Sequence, residues 1–355
     1  MNFHSDHVVG AHPRIMEAVV AANRGAVPSY GNDPVSAALV EDLSVLFGRE
    51  VHVFMTPTGT AANALSLAGL TPRWGSIYAH AEAHVELDEC AAPEFYTGGA
   101  KLALVPGDHG RMDLDLLEAR LQAAPRGFVH AAQPAVITLT QATEAGTVYS
   151  PDQVRRAGAI AAAQGMRLHM DGARFANACV HLGVAPAEIT WDAGVDILSF
   201  GSAKNGTMGA EAVVVFDPEL AEAMAYLRKR AGLLIPKMRF LAAQFRAYLA
   251  GDLWLALAGH ANAMATRLAH GLQSLPGVSL AHPVEANELF VDLPEAAVAS
   301  LEAAGAGFYR WADPEPGMVR VRLVTSWATD PAEVDRFLDH ASIAAAAARH
   351  GEGRR

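Results

Sequence analysis

Lys204 stands in the run Asp196-Ile-Leu-Ser-Phe-Gly-Ser-Ala-Lys204-Asn-Gly206, just past an apolar segment that reads as a buried strand. Its neighbours are Ser, Gly, Ala and Asn, so the amine shields no large side chain and is free to reach a carbonyl carbon. Upstream, Asp171 in His169-Met-Asp-Gly-Ala-Arg174 ends a second short apolar run. A carboxylate at the tip of a neighbouring strand is what a pyridine nitrogen needs to stay protonated. An amine and an acid placed in this way point to pyridoxal phosphate (PLP) chemistry, with Lys204 as the Schiff-base amine and Asp171 as the pyridinium partner.

Other residues suit the same site, each with a plainer alternative. Thr58-Gly-Thr60-Ala-Ala-Asn63 follows an apolar run and opens a helix. The free N–H groups there, with Gly59 for close approach and the Thr60 hydroxyl, would hold a phosphate, although a Thr-capped helix alone reads the same. His84 is suited to stack on a cofactor ring or to handle a proton, or is an ordinary surface or core histidine. Arg174 would bond a cofactor phenolate or clamp a carboxylate, or is a surface arginine. Arg320 and Arg322 alternate with Val319, Val321 and Leu323 and share one strand face. One of them fits an amino-acid carboxylate, or both mark a solvent-facing edge. His169 reads as structural. Arg228-Lys-Arg230 with Lys237 and Arg239 forms a basic cluster, explained by a solvated helix face or by a phosphate or inter-subunit role. There is no zinc-ligand spacing, no Walker loop and no Gly-x-Ser-x-Gly elbow.

The elements that must position these residues are legible as alternating apolar runs and helix-length segments. Strands are expected at 51–55, 76–79, 102–105, 135–140, 167–170, 196–200 and 212–216, with helices such as 113–123 and 151–164 between them. That alternation predicts an α/β fold, a mostly parallel sheet between helices. Asp33-Pro34 caps a helix expected to reach Phe47. From about residue 275, short strands at 278–280, 288–293, 307–311 and 318–325 with helices at 294–304 and 331–348 predict a smaller α+β unit. A long helical region over 220–272 would join the two. The expected division is 1–250 for the large domain with its N-terminal segment and 251–355 for the small one.

Of the 355 residues 51% are hydrophobic and 18% charged, which fits a compact globular enzyme and excludes disorder. A net charge of −11 argues against nucleic acid or an anionic membrane as partner. No apolar run is long enough to span a membrane, and the start of the chain carries no secretory pattern. With two cysteines, Cys90 and Cys179, a disulfide framework is not expected, and a reducing cytoplasm is the default compartment.

The order and wording of the motifs resemble the low-specificity L-threonine aldolase family of fold type I, aspartate-aminotransferase-like PLP enzymes. The likeness covers nearly the whole chain: Ser5-Asp6, Tyr30-Gly31-x-Asp33-Pro34, Thr58-Gly-Thr-Ala-Ala-Asn63, Ala83-His84, Ala92-Pro-Glu-Phe95, His169-Met-Asp-Gly-Ala-Arg174, Lys204 and Arg322-Leu-Val-Thr325. The resemblance implies that Lys204 binds the cofactor, Asp171 pairs with its ring nitrogen, His84 stacks on the ring, and Gly59 and Thr60 hold the phosphate. It implies that Ser5, Arg174 and Arg322 face the substrate carboxylate or the cofactor phenolate. It also implies a homodimer or homotetramer with shared active sites, with Tyr30 and the Lys229/Arg239 region near an interface. Two stretches depart from the family. Where members often carry a histidine in Glu-Asn-Thr-His-Asn, this chain reads Thr140-Gln-Ala-Thr-Glu144. A Gly-Gly-Gly-Met-Arg stretch is replaced by Gly232-Leu-Leu-Ile-Pro-Lys-Met-Arg239. The implied reaction is retro-aldol cleavage of threonine, allo-threonine or a related β-hydroxy-α-amino acid, phenylserine included, to glycine and an aldehyde, with His84 as the candidate base. The rivals are β-elimination or transamination on the same scaffold, and a non-catalytic relative.

Overall fold

The computed structural model describes residues 1–352, and their side chains through residue 343. A seven-stranded sheet is built from β1 (His52–Thr56), β2 (Gly75–His80), β3 (Lys101–Val105), β4 (Gln133–Thr140), β5 (Arg167–Gly172), β6 (Ile197–Phe200) and β7 (Glu211–Val215). Across the sheet the order is β1-β7-β6-β5-β4-β2-β3. The five strands from β6 to β3 run parallel, and β7 lies antiparallel to both β6 and β1. Helices cover both faces, which is why β2, β6 and β7 are buried along their whole length and read as continuous apolar runs rather than alternating ones. Because β1 regains the direction of the parallel strands, the carboxyl ends of β1, β2, β4, β5 and β6 meet along one edge, where open α/β sheets gather their ligands.

Local chemistry fixes the helix limits. Asp33 Oδ1 accepts from the Ser36 N–H at 2.9 Å, Pro34 opens the helix Pro34–Phe47, and Gly48 at φ 65 closes it. Ser150 and Gln153 form a reciprocal capping box on Pro151–Ala163. The expected helical region over 220–272 holds three helices: Ala221–Arg230, Arg239–Leu249 and Leu253–Gln273. Gly232 at φ 75 and Pro236 end the first, since neither residue suits a helix interior. Gly251 and Asp252, at φ 61 and 53, turn the chain before the third.

The small unit is an antiparallel sheet of β8 (Ser279–Leu280), β9 (Glu288–Pro294), β10 (Tyr309–Ala312) and β11 (Met318–Val324), in the order β10-β11-β9-β8. Its core includes Leu289, Val291, Val321, Leu323, Val298 and Phe337, joined by Phe3 from the start of the chain. Asn2 bridges to Gly307 and the Val324 N–H donates to the Phe3 carbonyl, so the first residues belong to this core in space.

At the heart of the large unit, the Phe200 ring meets Phe175, Phe245 and Trp254 edge-on, with centroids 5.1, 5.1 and 5.5 Å away. This cluster sits directly beneath the Lys204 turn. Phe200→Ala is therefore expected to cost about 3–5 kcal/mol, read as a lower midpoint in chemical denaturation.

Candidate active site

The loops at the carboxyl edge enclose a cavity of 380 Å³, within the size range of small-molecule sites. β1 leads through Pro57 into the helix Gly59–Leu70, whose first turn forms one wall. Thr58 caps it, with Oγ1 accepting from the Ala61 N–H at 3.1 Å. Gly59 and Thr60 line the cavity, and no protein atom lies within 4 Å of where a Cβ at Gly59 would stand. Nothing in the chain itself demands glycine there; the open space lies at a helix N-terminus, where an anion is held well.

Asp171, at the end of β5, is buried and oriented by two donors: Asn63 Nδ2 to Oδ2 at 2.7 Å and the Ala173 N–H to Oδ1 at 3.0 Å. The same Asn63 amide donates to Glu89 Oε1 at 2.8 Å, and that oxygen also pairs with His84 Nδ1 at 2.8 Å. A continuous polar chain thus runs from Asp171 through Asn63 and Glu89 to His84. The hydrogen bond that His84 donates to Glu89 raises the His84 pKa, against the opposing effect of burial. Burial in turn pushes the Glu89 carboxyl up. Beneath Asp171, His169 is wholly buried between Thr138 Oγ1 (2.8 Å) and Ser199 Oγ (3.0 Å), and burial drops its pKa to about 4, so it stays neutral. Its structural reading stands on that geometry.

Lys204 is carried by a short turn after β6, and its half-buried side chain lines the cavity. Asn205 Nδ2 donates to the Tyr248 hydroxyl and the Trp254 carbonyl, both at 2.8 Å. The Ser202 N–H donates to Glu211 Oε2 at 2.7 Å. The loop is therefore fixed from both sides while the lysine stays free. Burial, and then the charge of Arg174, lower the Lys204 pKa, which favours the neutral, nucleophilic amine. Glu211, on the cavity wall, is pushed up to about 7 by burial.

Arg174 lines the cavity from the loop after β5. Its Nε donates to Asp6 Oδ2 at 2.8 Å and Nη2 to Asp6 Oδ1 at 3.3 Å, and Nη1 lies 3.2 Å from Glu288 Oε2. Asp6 is wholly buried; burial pushes its pKa up, but Arg174 and Lys204 outweigh this and hold it at about 2.

Of the residues expected at the site, the structure thus brings Gly59, Thr60, His84, Asp171, Arg174 and Lys204 to one cavity. Ser5, Tyr30 and Arg322 do not line it. Ser5 caps the turn that carries Asp6, its Oγ accepting from the His7 N–H at 3.2 Å. Tyr30 is exposed, with the Lys229 ammonium 5.3 Å from its ring centre. Arg322 donates to Glu288 Oε1 and lies over the rings of Trp311 and Tyr309, while Arg320 is forked onto Asp292. Their strand neighbours supply the carboxylates that keep both guanidiniums away from the cavity. The basic cluster is also outside it: Arg228 covers the Phe54 ring and Arg239 bonds the carbonyls of Arg24 and Gly25.

A family model for beta-eliminating lyases matches residues 2–296. The chain belongs to the beta-eliminating lyase family. It is a lyase by that membership, and its likeness to threonine aldolases runs end to end. It is 45% identical to the low specificity L-threonine aldolase of Pseudomonas aeruginosa over 92% of this chain and 93% of that one. With the corresponding enzyme of a Pseudomonas species it shares 41% identity over 94% of each. The solved structure of a threonine aldolase from Leishmania major superposes with a TM-score of 0.91 at 27% identity, covering 97% of this chain and 99% of the other. The expected fold type I architecture, a large helix-flanked sheet with a smaller carboxyl-terminal sheet, is the one this lyase has.

Sequence reasoning passed over the carboxylates of this lyase site: Asp6, Glu89, Glu144, Glu211 and Glu288. Two of them carried a signal, because Glu211 and Glu288 open the apolar runs of β7 and β9, where an acid must find a partner or remain protonated. Glu89 carried none.

Proposed function

We propose that this chain is a PLP-dependent aldehyde-lyase that cleaves L-threonine, L-allo-threonine or a related β-hydroxy-α-amino acid to glycine and an aldehyde. The observation that carries the reaction is 45% identity with the P. aeruginosa aldolase over nearly the whole of both chains. The cavity carries the cofactor. It offers an anion-holding helix start with unfilled space at Gly59, a carboxylate fixed at a strand tip, and a lysine whose amine is shifted towards neutrality. This donor set fits PLP: Gly59 and Thr60 would hold the phosphate, Asp171 the pyridine nitrogen, His84 the ring face and Lys204 the carbonyl carbon. When bound, the cofactor supplies an electron sink for the pair left at Cα when the Cα–Cβ bond breaks.

The chain's own residues do the rest. Asn63 and Ala173 hold both Asp171 oxygens in place, which fixes the orientation of the carboxyl at the strand tip. Arg174 offers its uncommitted N–H donors to the substrate carboxylate, and Asp6 fixes the plane of the guanidinium for that purpose. Arg322 joins it if Glu288 releases one of the two arginines it now pairs with. With the cofactor bound by substrate, the Lys204 amine would be placed to accept or return protons at Cα. We take the two units to divide at residue 250, since each of the two sheets has its own core; Leu253, Trp254, Leu257 and Ala258, just past that point, pack back into the core of the large one.

We also infer a homodimer or homotetramer with shared sites, supported by the exposed Trp74, Phe95 and Tyr96 around one groove and by the exposed Tyr30. Among the described residues no helix is long and apolar enough to cross a membrane. The two free cysteines support a cytoplasmic setting. The test is product analysis: threonine is expected to give glycine and acetaldehyde. Ammonia with an oxo acid would establish β-elimination instead.

A further inference from the structure

Three carboxyl side chains line the cavity: Asp171, Glu211 and Glu144. Asp171 spends both oxygens on Asn63 and Ala173, and Glu211 accepts from the backbone N–H groups of Ser202 and Ala203. Glu144 differs. Its Oε1 accepts from the His84 backbone N–H at 2.7 Å, while Oε2 is shielded from solvent and has no hydrogen-bond partner. A water-excluded carboxyl oxygen without a donor is costly unless a ligand or a proton occupies it.

The segment that holds Glu144 is rigid. Gln141 exchanges two 2.9 Å hydrogen bonds with the Tyr149 backbone, and the Thr143 N–H donates to the Thr147 carbonyl at 2.9 Å. Around the carboxyl stand Asp171 from β5, Arg174 from the loop after it, the Tyr149 phenol, the Thr140 hydroxyl and the His84 N–H. Burial and the charge of Asp171 push its pKa up to about 7. His84 is the less available proton acceptor, because its Nδ1 is bound to Glu89 and that hydrogen bond raises its pKa.

Resting on the aldolase reading above, we propose that Glu144 is the general base that takes the β-hydroxyl proton of the substrate. The hydroxyl proton moves to the Glu144 carboxylate, the O–H pair forms the carbonyl of the departing aldehyde, and the Cα–Cβ pair stays at Cα. One proton returned to Cα completes glycine, so the one lost from oxygen and the one gained at carbon balance. The base acts only when ionised, so kcat/KM rises with pH through about 7.

The test compares Glu144→Gln with the wild-type holoenzyme in two reactions. Aldehyde release from threonine is expected to fall about 10²- to 10³-fold and to lose its rise with pH. Exchange of the glycine α-proton in D2O, which breaks no C–C bond, is expected to stay within a few-fold of wild type. Glu144→Asp, which keeps a carboxylate, is expected to recover part of the aldehyde release together with the pH dependence. Infrared difference spectra of wild type minus Glu144→Gln should show a protonated-carboxyl band that fades as pH rises through about 7; this readout does not depend on turnover. Aldehyde release near the wild-type rate, an equal loss of glycine exchange, or absence of the band overturns the proposal. A wild-type enzyme that exchanges glycine but releases no aldehyde overturns the aldolase reading and this one with it.

Discussion

Lys204→Ala is expected to lower aldehyde release by at least about 10³-fold, the scale for loss of one nucleophile or acid–base group. In the same variant borohydride should no longer fix the cofactor to the chain, whereas in the wild type it should label the peptide that contains Lys204. The loss is chemical rather than structural. The turn around residue 204 is held by Asn205 on Tyr248 and Trp254, by Ser202 on Glu211, and by the His12 N–H on the Gly206 carbonyl at 2.8 Å. None of those bonds involves the lysine side chain. Unfolding midpoints of the cofactor-free proteins should therefore differ by only about 1 kcal/mol, through the lost attraction between Lys204 and Asp6. Activity that survives the substitution would remove Lys204 from the centre of the mechanism.

Arg174→Met is expected to act on both stability and substrate affinity. Arg174 is the counter-charge for Asp6 and Glu288, and all three side chains are buried. Removing it leaves the buried Asp6 without its counter-charge and Glu288 with Arg322 alone, at a cost of about 3–5 kcal/mol. The pH dependence carries a sign. Asp6 is held at about 2 in the folded chain, below its ordinary value of 3.8. Its ion pair therefore contributes fully above the ordinary value, and the contribution is lost as pH falls towards about 2. In the variant, burial is left unopposed by Arg174. The gap in stability between the two proteins should thus be widest near neutrality and narrow between about pH 4 and 2, as urea midpoints at stepped pH would record. At neutral pH the KM for threonine should rise more than kcat falls. An unchanged KM would assign the carboxylate to another group.

Much of this was legible before the fold was known, and for one physical reason. Strands of a parallel sheet are buried on both faces, so a charged residue just past an apolar run is conspicuous, as Asp171 and Lys204 are. The same logic placed all seven strands of the main sheet within a few residues. The helical region over 220–272 was legible as well, but not its division at Gly232, Pro236 and the left-handed turn at Gly251 and Asp252. Arg322 was expected to share the substrate site, and its strand face was read correctly. Its ion pair left no local signal, because Glu288 lies on the neighbouring strand β9, opposite Val324, and reaches Arg174 as well.

The sequence by itself determined the strand-end positions of Asp171 and Lys204, the helix start at Gly59 and the architecture that brings them to one edge, since these depend on residue type at strand ends and on hydrophobic period. Only the tertiary structure decided the protonation chemistry around them. Asp6 reaches Arg174 from the far end of the chain, Glu89 joins His84 to Asn63 and Asp171, and Glu144 keeps one oxygen unclaimed. A carboxylate's pKa and role are set by burial and by partners remote in sequence, and no local pattern encodes either.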